Sequence, residues 1–267
     1  MVKHYDITLL REMPVIRRAR EYHLFDNTGK RFLDLYLDGG KALLGHRPEG
    51  FSLIVKNTLA RGVYASYPSH EEANMLRAAK ILWERYPQIR YYNNSKLVEL
   101  WLAEQGLIRS VADITDPCLA GTGRTSLWRP WMPAAEDVIF PVLPVPGECG
   151  ILVCAKDSIA ELPQGDLPSP VNAAGINRCL WNLTALLKKS PECPADSQRQ
   201  LPAFAGWCRK ANYLLWEGEN ADYPSVFRRF LVEGVLLPPD PDCPAVLPPV
   251  LTSGDLKILN KLFGKGE

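Results

Sequence analysis

The sequence predicts an α/β fold, in which helices and short buried strands alternate along a chain of 267 residues. Apolar residues recur at helical spacing in residues 75–86 and again in residues 171–187. Between these segments, residues 138–145 and 151–154 are short apolar runs that are typical of buried strands. Hydrophobic residues make up 46% of the chain and charged residues 23%, and this globular composition excludes a disordered or fibrous protein.

The first 48 residues are predicted to form an N-terminal segment that contains a β-hairpin. Its strands are expected at residues 22–25 and 31–37, and the second strand places Leu33, Leu35 and Leu37 on one face. Residues 26–29 form the turn between them, because their Asp, Asn and Gly residues favour turn conformations.

Residues 49–169 are predicted to form a larger domain. Helices are expected at residues 49–60, 69–86 and 97–107. Ser69 and Glu72 form a capping box at the start of the second helix. Pro141 and Pro144 confine the strand at residues 138–145 to a sheet edge or make it irregular.

Residues 170–267 are predicted to form a C-terminal α+β domain. Thr252 and Asp255 cap its last helix, and Gly234 ends an earlier one. The expected helices lie at residues 170–189, 200–216, 224–233 and 252–263, and the expected short strands lie at residues 235–237 and 245–247.

The charge of the chain is nearly balanced, with 31 Lys and Arg residues against 30 Asp and Glu residues. A net charge of +1 provides no field that would attract a phosphate backbone, so we expect no nucleic-acid partner. No apolar run approaches the ~20 residues that span a bilayer, and the first residues lack the apolar stretch of a signal peptide. We therefore expect no membrane partner and a cytoplasmic location.

Seven cysteines occur between residues 118 and 243, and none belongs to a CxxC pair. All four histidines precede the first cysteine, whereas a zinc site needs closely spaced Cys or His ligands. We therefore expect reduced thiols, most of them buried, and no metal site.

Sequence blocks near both ends of the chain resemble one family. LFDNTGKRFLDL at residues 24–35 precedes LGHRP at residues 44–48, and PVNAAG at residues 170–175 precedes FRRFLVEGVLLPP at residues 227–239. In this order the blocks resemble the class III pyridoxal-phosphate-dependent aminotransferases, in particular the glutamate-1-semialdehyde aminomutase branch. The resemblance implies a shortened remnant of the family's large domain, with a mainly parallel sheet and helices, followed by a small α+β C-terminal domain.

The catalytic centre of that family is not matched in the middle of the chain. Asn94 and Ser95 match the family's phosphate-binding turn, but Lys96 and Leu97 replace the Gly and Thr that allow a phosphate to approach the backbone. Residues 151–169 lack the family's Asp-Glu pair and contain a single lysine, Lys156. The resemblance therefore implies that the covalent anchor and proton shuttle of transamination have been lost.

Three residues of this middle region are site candidates. Lys156 is either a relocated Schiff-base lysine or a solvated residue at the end of a strand. Asn94 and Ser95 either bind a phosphate at the start of a helix or simply cap that helix.

Three residues near the N-terminus are candidates through the resemblance. Gly39, Gly40 and His46 belong to a region that lines the mouth of the active site in the family. The alternative is that the glycines shape a turn and that His46 caps or packs.

The leading hypothesis is a catalytically inactive aminotransferase-like protein that needs no cofactor and has a binding or assembly role. The resemblance implies a homodimer, or a heteromer with a full-length homologue. One alternative is an active pyridoxal-phosphate-dependent aminotransferase or aminomutase with a rebuilt site that uses Lys156 or Lys210. Another is a module that binds a small anionic metabolite in the former cofactor cleft.

Overall fold

The computed structural model describes residues 8–119, 123–193 and 204–264. The chain divides into two compact units, one formed by residues 48–189 and the other by residues up to 47 together with those from 190 onward. This division differs from the sequence-based boundary at residue 170, because the helix that begins there packs against earlier helices of the first unit.

Helices and strands alternate through most of the described chain, as an α/β fold requires. The helices are α1 (Phe51–Ala60), α2 (His70–Leu82), α3 (Lys96–Glu104), α4 (Pro170–Lys189), α5 (Tyr223–Val232) and α6 (Ser253–Phe263). The strands are β1 (Ile16–Arg20), β2 (His23–Asp26), β3 (Arg31–Asp34), β4 (Gln88–Tyr92), β5 (Thr125–Trp128), β6 (Val138–Pro141), β7 (Ile151–Ala155), β8 (Trp207–Lys210), β9 (Tyr213–Trp216), β10 (Val235–Leu236) and β11 (Ala245–Val246).

The helices of the 48–189 unit follow the sequence prediction closely. Ser69 Oγ accepts a hydrogen bond from the Glu72 backbone N–H at 3.2 Å and so caps α2, as the Ser69–Glu72 pattern predicts. Helix α4 packs against α1 and α2. The close approach to α1 needs Gly175, because a Cβ atom there would lie 2.9 Å from the Phe51 ring.

The sheet of this unit has the strand order β4-β7-β6-β5. Strand β5 runs parallel to β6, but β7 is antiparallel to both β6 and β4. The expectation of a mainly parallel sheet is therefore wrong. Residues 142–150 turn the chain back without the helical crossover that usually joins parallel neighbours.

Helix α3 packs on one face of this sheet and completes a core. The buried apolar side chains of α3 contact those of the strands, among them Val98, Leu102, Val138, Phe140 and Val153. This packing fixes where the turn between β4 and α3 lies.

The other unit contains two sheets, with the orders β1-β2-β3-β10 and β11-β9-β8. The predicted hairpin is confirmed: β2 and β3 pair antiparallel, and Gly29 in their turn has a φ of +88°. Strand β10 pairs parallel with β3, Val235 opposite Leu33. This pairing explains why the N-terminal segment belongs to the same unit as the C-terminal residues.

The helix expected at residues 200–216 is wrong for the part that is described, and residues 200–203 lie outside the described residues. Strands β8 and β9 form an antiparallel hairpin in which Lys210 is opposite Tyr213. The two-residue turn contains Ala211 with a φ of +53°. Alanine rarely adopts this conformation, so Asn212, the second residue of the turn, is its one conventional turn residue.

Five of the seven cysteines are buried, which confirms the prediction that most of the thiols are inaccessible: Cys118, Cys154, Cys179, Cys193 and Cys243. Across the ranges that the structure describes, no group of three or more His, Cys, Asp and Glu residues is arranged to hold a metal ion. No helix in those ranges combines the length and the apolar character needed to cross a bilayer.

Candidate functional site

The candidate site in the 48–189 unit is the turn that joins β4 to α3. Asn94 Oδ1 accepts a hydrogen bond from the Lys96 backbone N–H at 3.1 Å, whereas the Ser95 side chain makes no capping hydrogen bond. Both asparagines of the turn, Asn93 and Asn94, are exposed. One N–H at the start of α3 is therefore already satisfied by the chain itself.

A second segment, residues 162–166, lies against β4 and reaches this turn; we call it the covering segment. The Asp166 backbone N–H donates to the Tyr91 carbonyl at 2.8 Å, and Asp166 Oδ2 accepts from the Asn93 backbone N–H, also at 2.8 Å. A Cβ atom on Gly165 would lie 2.8 Å from the Tyr91 carbonyl oxygen. The Asp166 carboxylate thus already accepts the Asn93 backbone N–H, next to the turn that is the candidate phosphate-binding site.

Two tyrosines of β4 hold the covering segment and the turn in place. Tyr92 donates its hydroxyl hydrogen to the Pro163 carbonyl at 2.6 Å, and Tyr91 donates to Asn93 Oδ1 at 3.2 Å. Burial raises the pKa of both phenols to about 12, so both remain protonated donors at neutral pH.

The loop that leads into β7 also approaches this end of β4. Gly150 has a φ of +74°, and a Cβ atom there would lie 2.7 Å from the Tyr92 carbonyl oxygen. Glycine is therefore required at this position on two counts, its backbone conformation and its close contact. This loop therefore has a packing role at the end of β4.

Lys156 lies directly after β7, and residues near β6 surround its side chain. Its Nζ donates to the Ala135 carbonyl and lies 3.7 Å from Asp137 Oδ1. Its side chain is one-third exposed. The ammonium group is therefore partly solvated and engaged by a carboxylate and a carbonyl, which is the environment of an ordinary surface lysine.

Lys156 lies near the start of β4, whereas Asn94 and Ser95 lie after the end of that strand. In the antiparallel pairing of β4 with β7, Gln88 is opposite Ala155 and Tyr92 is opposite Ile151. Lys156 therefore follows the residue opposite the start of β4, whereas Asn94 comes after its end. The intervening strand is about 13 Å long at ~3.3 Å per residue. The fold does not bring these three candidates together.

Gly39, Gly40 and His46 belong to the other unit, where they take part in a compact loop. Gly39 and Gly40 have φ angles of +66° and +104° in the turn after β3. His46 Nε2 lies 3.0 Å from Asp34 Oδ2, although this contact lacks hydrogen-bond geometry. Asp34 Oδ1 accepts the backbone N–H groups of Tyr36 and Leu37 at 2.9 Å. These contacts fix the shape of the loop.

Sequence reasoning missed Asp166, which contacts Asn93 beside the candidate turn, and Asp137, which contacts Lys156. Asp166 lies 73 residues after Asn93 in the chain, and its only local signal is a Gly-Asp pair typical of a turn. Asp137 precedes β6 and forms a second ion pair, with Arg124 Nε at 2.8 Å. Neither contact follows from a motif, because both depend on the register of the sheet.

No protein-family model matches the chain. The chain is similar to an uncharacterized protein of Borreliella burgdorferi, with 25% identity over 272 aligned residues that cover 97% of this chain and 93% of the relative. An uncharacterized protein of Treponema pallidum is 28% identical over 181 residues. This alignment covers 67% of this chain and only 56% of that relative, so the chain spans little more than half of its length.

Solved structures give a clearer result. Plasmodium falciparum ornithine delta-aminotransferase superposes with a TM-score of 0.64, 14% sequence identity, and coverage of 94% of this chain and 92% of the other. A glutamate-1-semialdehyde aminomutase of Pseudomonas aeruginosa gives a TM-score of 0.61 at 11% identity, covering 94% and 86%. The chain has an aminotransferase fold.

A transaminase with bound pyridoxal phosphate superposes with a TM-score of 0.65 at 11% identity, covering 94% of this chain and 90% of that one. The predicted α/β class is thereby confirmed, and the family to which the sequence blocks point is the one that supplies the structural neighbours. At such low identities the similarity establishes the aminotransferase fold and nothing about activity.

Proposed function

We propose that this protein uses its aminotransferase fold for assembly and does not transfer amino groups. The observation that carries the proposal is the separation of Lys156 from Asn94 and Ser95 by the length of β4. Transamination needs a lysine amine at the reactive carbon of a cofactor whose phosphate is held at the strand-to-helix turn. The one lysine in residues 151–169 faces residues 135–137 instead.

The residues at the turn also fit pyridoxal phosphate poorly. Asp166 places a carboxylate against the Asn93 N–H, and a second anion in that position would be repelled. Asn94 already accepts the Lys96 N–H, and Lys96 and Leu97 carry side chains where close backbone approach is needed. These contacts support a protein that binds no pyridoxal phosphate, and we assign no chemical step to that group.

An absorbance spectrum recorded with added pyridoxal phosphate, before and after borohydride reduction, tests this proposal. We expect the spectrum of the cofactor alone and no mass increase on any lysine-containing peptide after reduction. The Lys156→Ala and Lys210→Ala variants should give the same result as the unmodified chain. A reduced adduct on one lysine, lost in the matching variant, would establish the active-enzyme alternative and contradict our proposal.

The assembly role is supported by an apolar surface on the 48–189 unit. Every residue from 59 to 68 is exposed, and α1 adds further apolar side chains to the same stretch of chain. The exposed fractions reach 64% for Leu53, 62% for Tyr64 and 59% for Tyr67. Exposed apolar side chains in such number are typical of a surface that another protein chain covers. A second copy of this chain is the partner we propose.

Light scattering of the purified chain tests the assembly role. We expect a dimer that dissociates when Leu53 and Tyr64 are both replaced by lysine, because two charges on each chain would be desolvated in the contact. Replacing both Leu97 and Leu100, which are exposed on α3, by lysine is the matched control, and this variant should remain dimeric. If the unmodified chain is a monomer, the proposed homodimer is contradicted. A heteromer with a full-length homologue would then be the assembly to test.

A further inference from the structure

A bulge in strand β1 directs two neighbouring arginines, Arg17 and Arg18, toward the same cavity. Ile16 is opposite Asp26 on β2 and Arg18 is opposite Phe25, so Arg17 is an extra residue in β1. In a regular strand, Arg17 and Arg18 would point to opposite faces of the sheet. A bulge of this kind re-aims a side chain, and here both arginines line one cavity.

This cavity lies between the bulge and the turn of the β2–β3 hairpin. Its volume is about 340 Å³, which is within the range of small-molecule pockets. Besides the two arginines, Phe25, Asn27 and Thr28 line it. Its walls are mainly polar side chains, which is unlike the packed interior of the unit.

The two guanidinium groups have few competing partners. Arg18 Cζ lies 4.4 Å from the centre of the Phe25 ring, a cation–π contact that orients the group without neutralising it. Within the described residues, neither Arg17 nor Arg18 forms an ion pair. Two positive charges therefore face the cavity with their hydrogen-bond donors available.

The acidic residue of the cavity is committed to the hairpin turn. Asp26 Oδ1 accepts hydrogen bonds from the Thr28 N–H and the Thr28 hydroxyl at 2.8 Å and from the Lys30 N–H at 2.9 Å. Its carboxylate is thus already hydrogen-bonded to donors within the turn. The arginines remain the dominant charge for a ligand that enters the cavity.

We propose that this cavity binds a phosphate group, carried by a small phosphomonoester. The planar fork of a guanidinium matches the oxygens of a phosphate, and two forks provide the two positive charges that balance a phosphomonoester dianion. Asn27 adds a side-chain amide donor at the rim. The proposal is independent of the assembly role, because it concerns the unit that contains the hairpin and needs no second chain.

Calorimetric titration of the full chain with inorganic phosphate and with glycerol phosphate tests the site. The Arg17→Ala and Arg18→Ala variants should each weaken binding at least about tenfold, because a hydrogen bond to a charged group is lost. Arg20→Ala is the matched control, since Arg20 is an exposed residue of the same strand outside the cavity and changes the net charge equally. We expect it to alter the affinity less than about twofold.

Two further measurements define the ligand. A double Arg17→Lys, Arg18→Lys variant keeps the charge but loses the fork geometry, and we expect it to bind phosphate more weakly than the unmodified chain. Vesicles with and without phosphatidic acid distinguish a lipid phosphate from a soluble one. Arginine-dependent binding in either arm supports a phosphate site and identifies its source.

The proposal is overturned if the unmodified chain binds none of these probes. It is also overturned if Arg20→Ala reduces the affinity as much as Arg17→Ala, because the effect would then be a general charge effect. Binding of a glutamate-rich peptide, with no binding of phosphate, would instead assign β1 to an acidic protein partner. The thermal unfolding midpoint of each variant verifies that the hairpin is still folded.

Discussion

Two regions of the molecule use their polar residues in opposite ways. In the hairpin and final helix, Asp34 and Asp255 are only 2% and 1% exposed, and each is surrounded by hydrogen-bond donors. At the turn between β4 and α3, Asn93 and Asn94 are exposed, and the contacting carboxylate, Asp166, lies outside every matched block. The buried aspartates of the first region therefore stabilise the fold, whereas the asparagines of the second region belong to an exposed turn.

The largest expected effect is at Asp255. Its carboxylate accepts the Thr252 N–H at 2.9 Å, the Thr252 hydroxyl at 2.7 Å and a contact from His23 Nε2 at 2.9 Å. Asp255→Ala should lower the free energy of unfolding by about 3 kcal/mol, because the buried His23 ring and the two capping donors of Thr252 lose their partner. Urea denaturation measures this. A loss below about 1 kcal/mol would contradict the buried role of the carboxylate.

The stabilisation that Asp255 provides is expected to depend on pH. Burial raises its pKa, but the hydrogen bonds from Thr252 and His23 outweigh burial and leave the pKa below its ordinary value. The resulting stabilisation is present above the unfolded pKa of about 3.9 and is lost as the pH falls through the folded pKa. The unmodified chain should therefore lose more stability than Asp255→Asn on acidification below about pH 4, when unfolding is followed at each pH.

The second effect compares two glycines of one loop. Gly150 and Gly147 both have a positive φ, +74° and +81°, but only a side chain at Gly150 would meet other atoms. Gly150→Ala should cost about 2 kcal/mol of unfolding free energy, and Gly147→Ala about 1 kcal/mol from backbone strain alone. Equal losses in thermal unfolding would show that the contact with the Tyr92 carbonyl adds nothing.

The smallest effect is expected at the turn itself. Asn94→Ala should cost about 0.5–1 kcal/mol, because the Lys96 N–H loses its acceptor. Ser95→Ala is the matched control and should change stability by less than about 0.5 kcal/mol, since the hydroxyl makes no capping hydrogen bond. A larger loss for Ser95 than for Asn94 in urea denaturation would reverse our assignment of the capping residue.

Local sequence signals predicted the elements whose ends are set by nearby residues. The capping pairs Ser69–Glu72 and Thr252–Asp255 begin helices where expected, and Gly29 forms the hairpin turn. The hairpin of β8 and β9 is not predicted, because its turn, Ala211 and Asn212, lacks the glycine that marks the turn between β2 and β3. Strand directions in the sheet were missed because they depend on pairing between distant segments, which periodicity does not encode.

The candidate site was predictable only in part for the same reason. The sequence located the strand-to-helix turn at Asn94 and Ser95 and the end of a strand at Lys156, and it left the role of Lys156 open. Their separation follows from the antiparallel register of β4 with β7, and a single sequence gives no signal for that register. Asp166 reaches the turn from 73 residues away, so no local pattern connects the two.

The covering segment has a consequence for how the sheet ends. Strand β4 is the outermost strand of its sheet, and an uncovered outermost strand offers its backbone to strands of other molecules. The Asp166 backbone N–H donates to the Tyr91 carbonyl of this outermost strand. Pro163 and Gly165 also lie against β4. A proline has no N–H that could pair with an incoming strand. The covering segment therefore protects this edge of the sheet from pairing with a strand of another molecule.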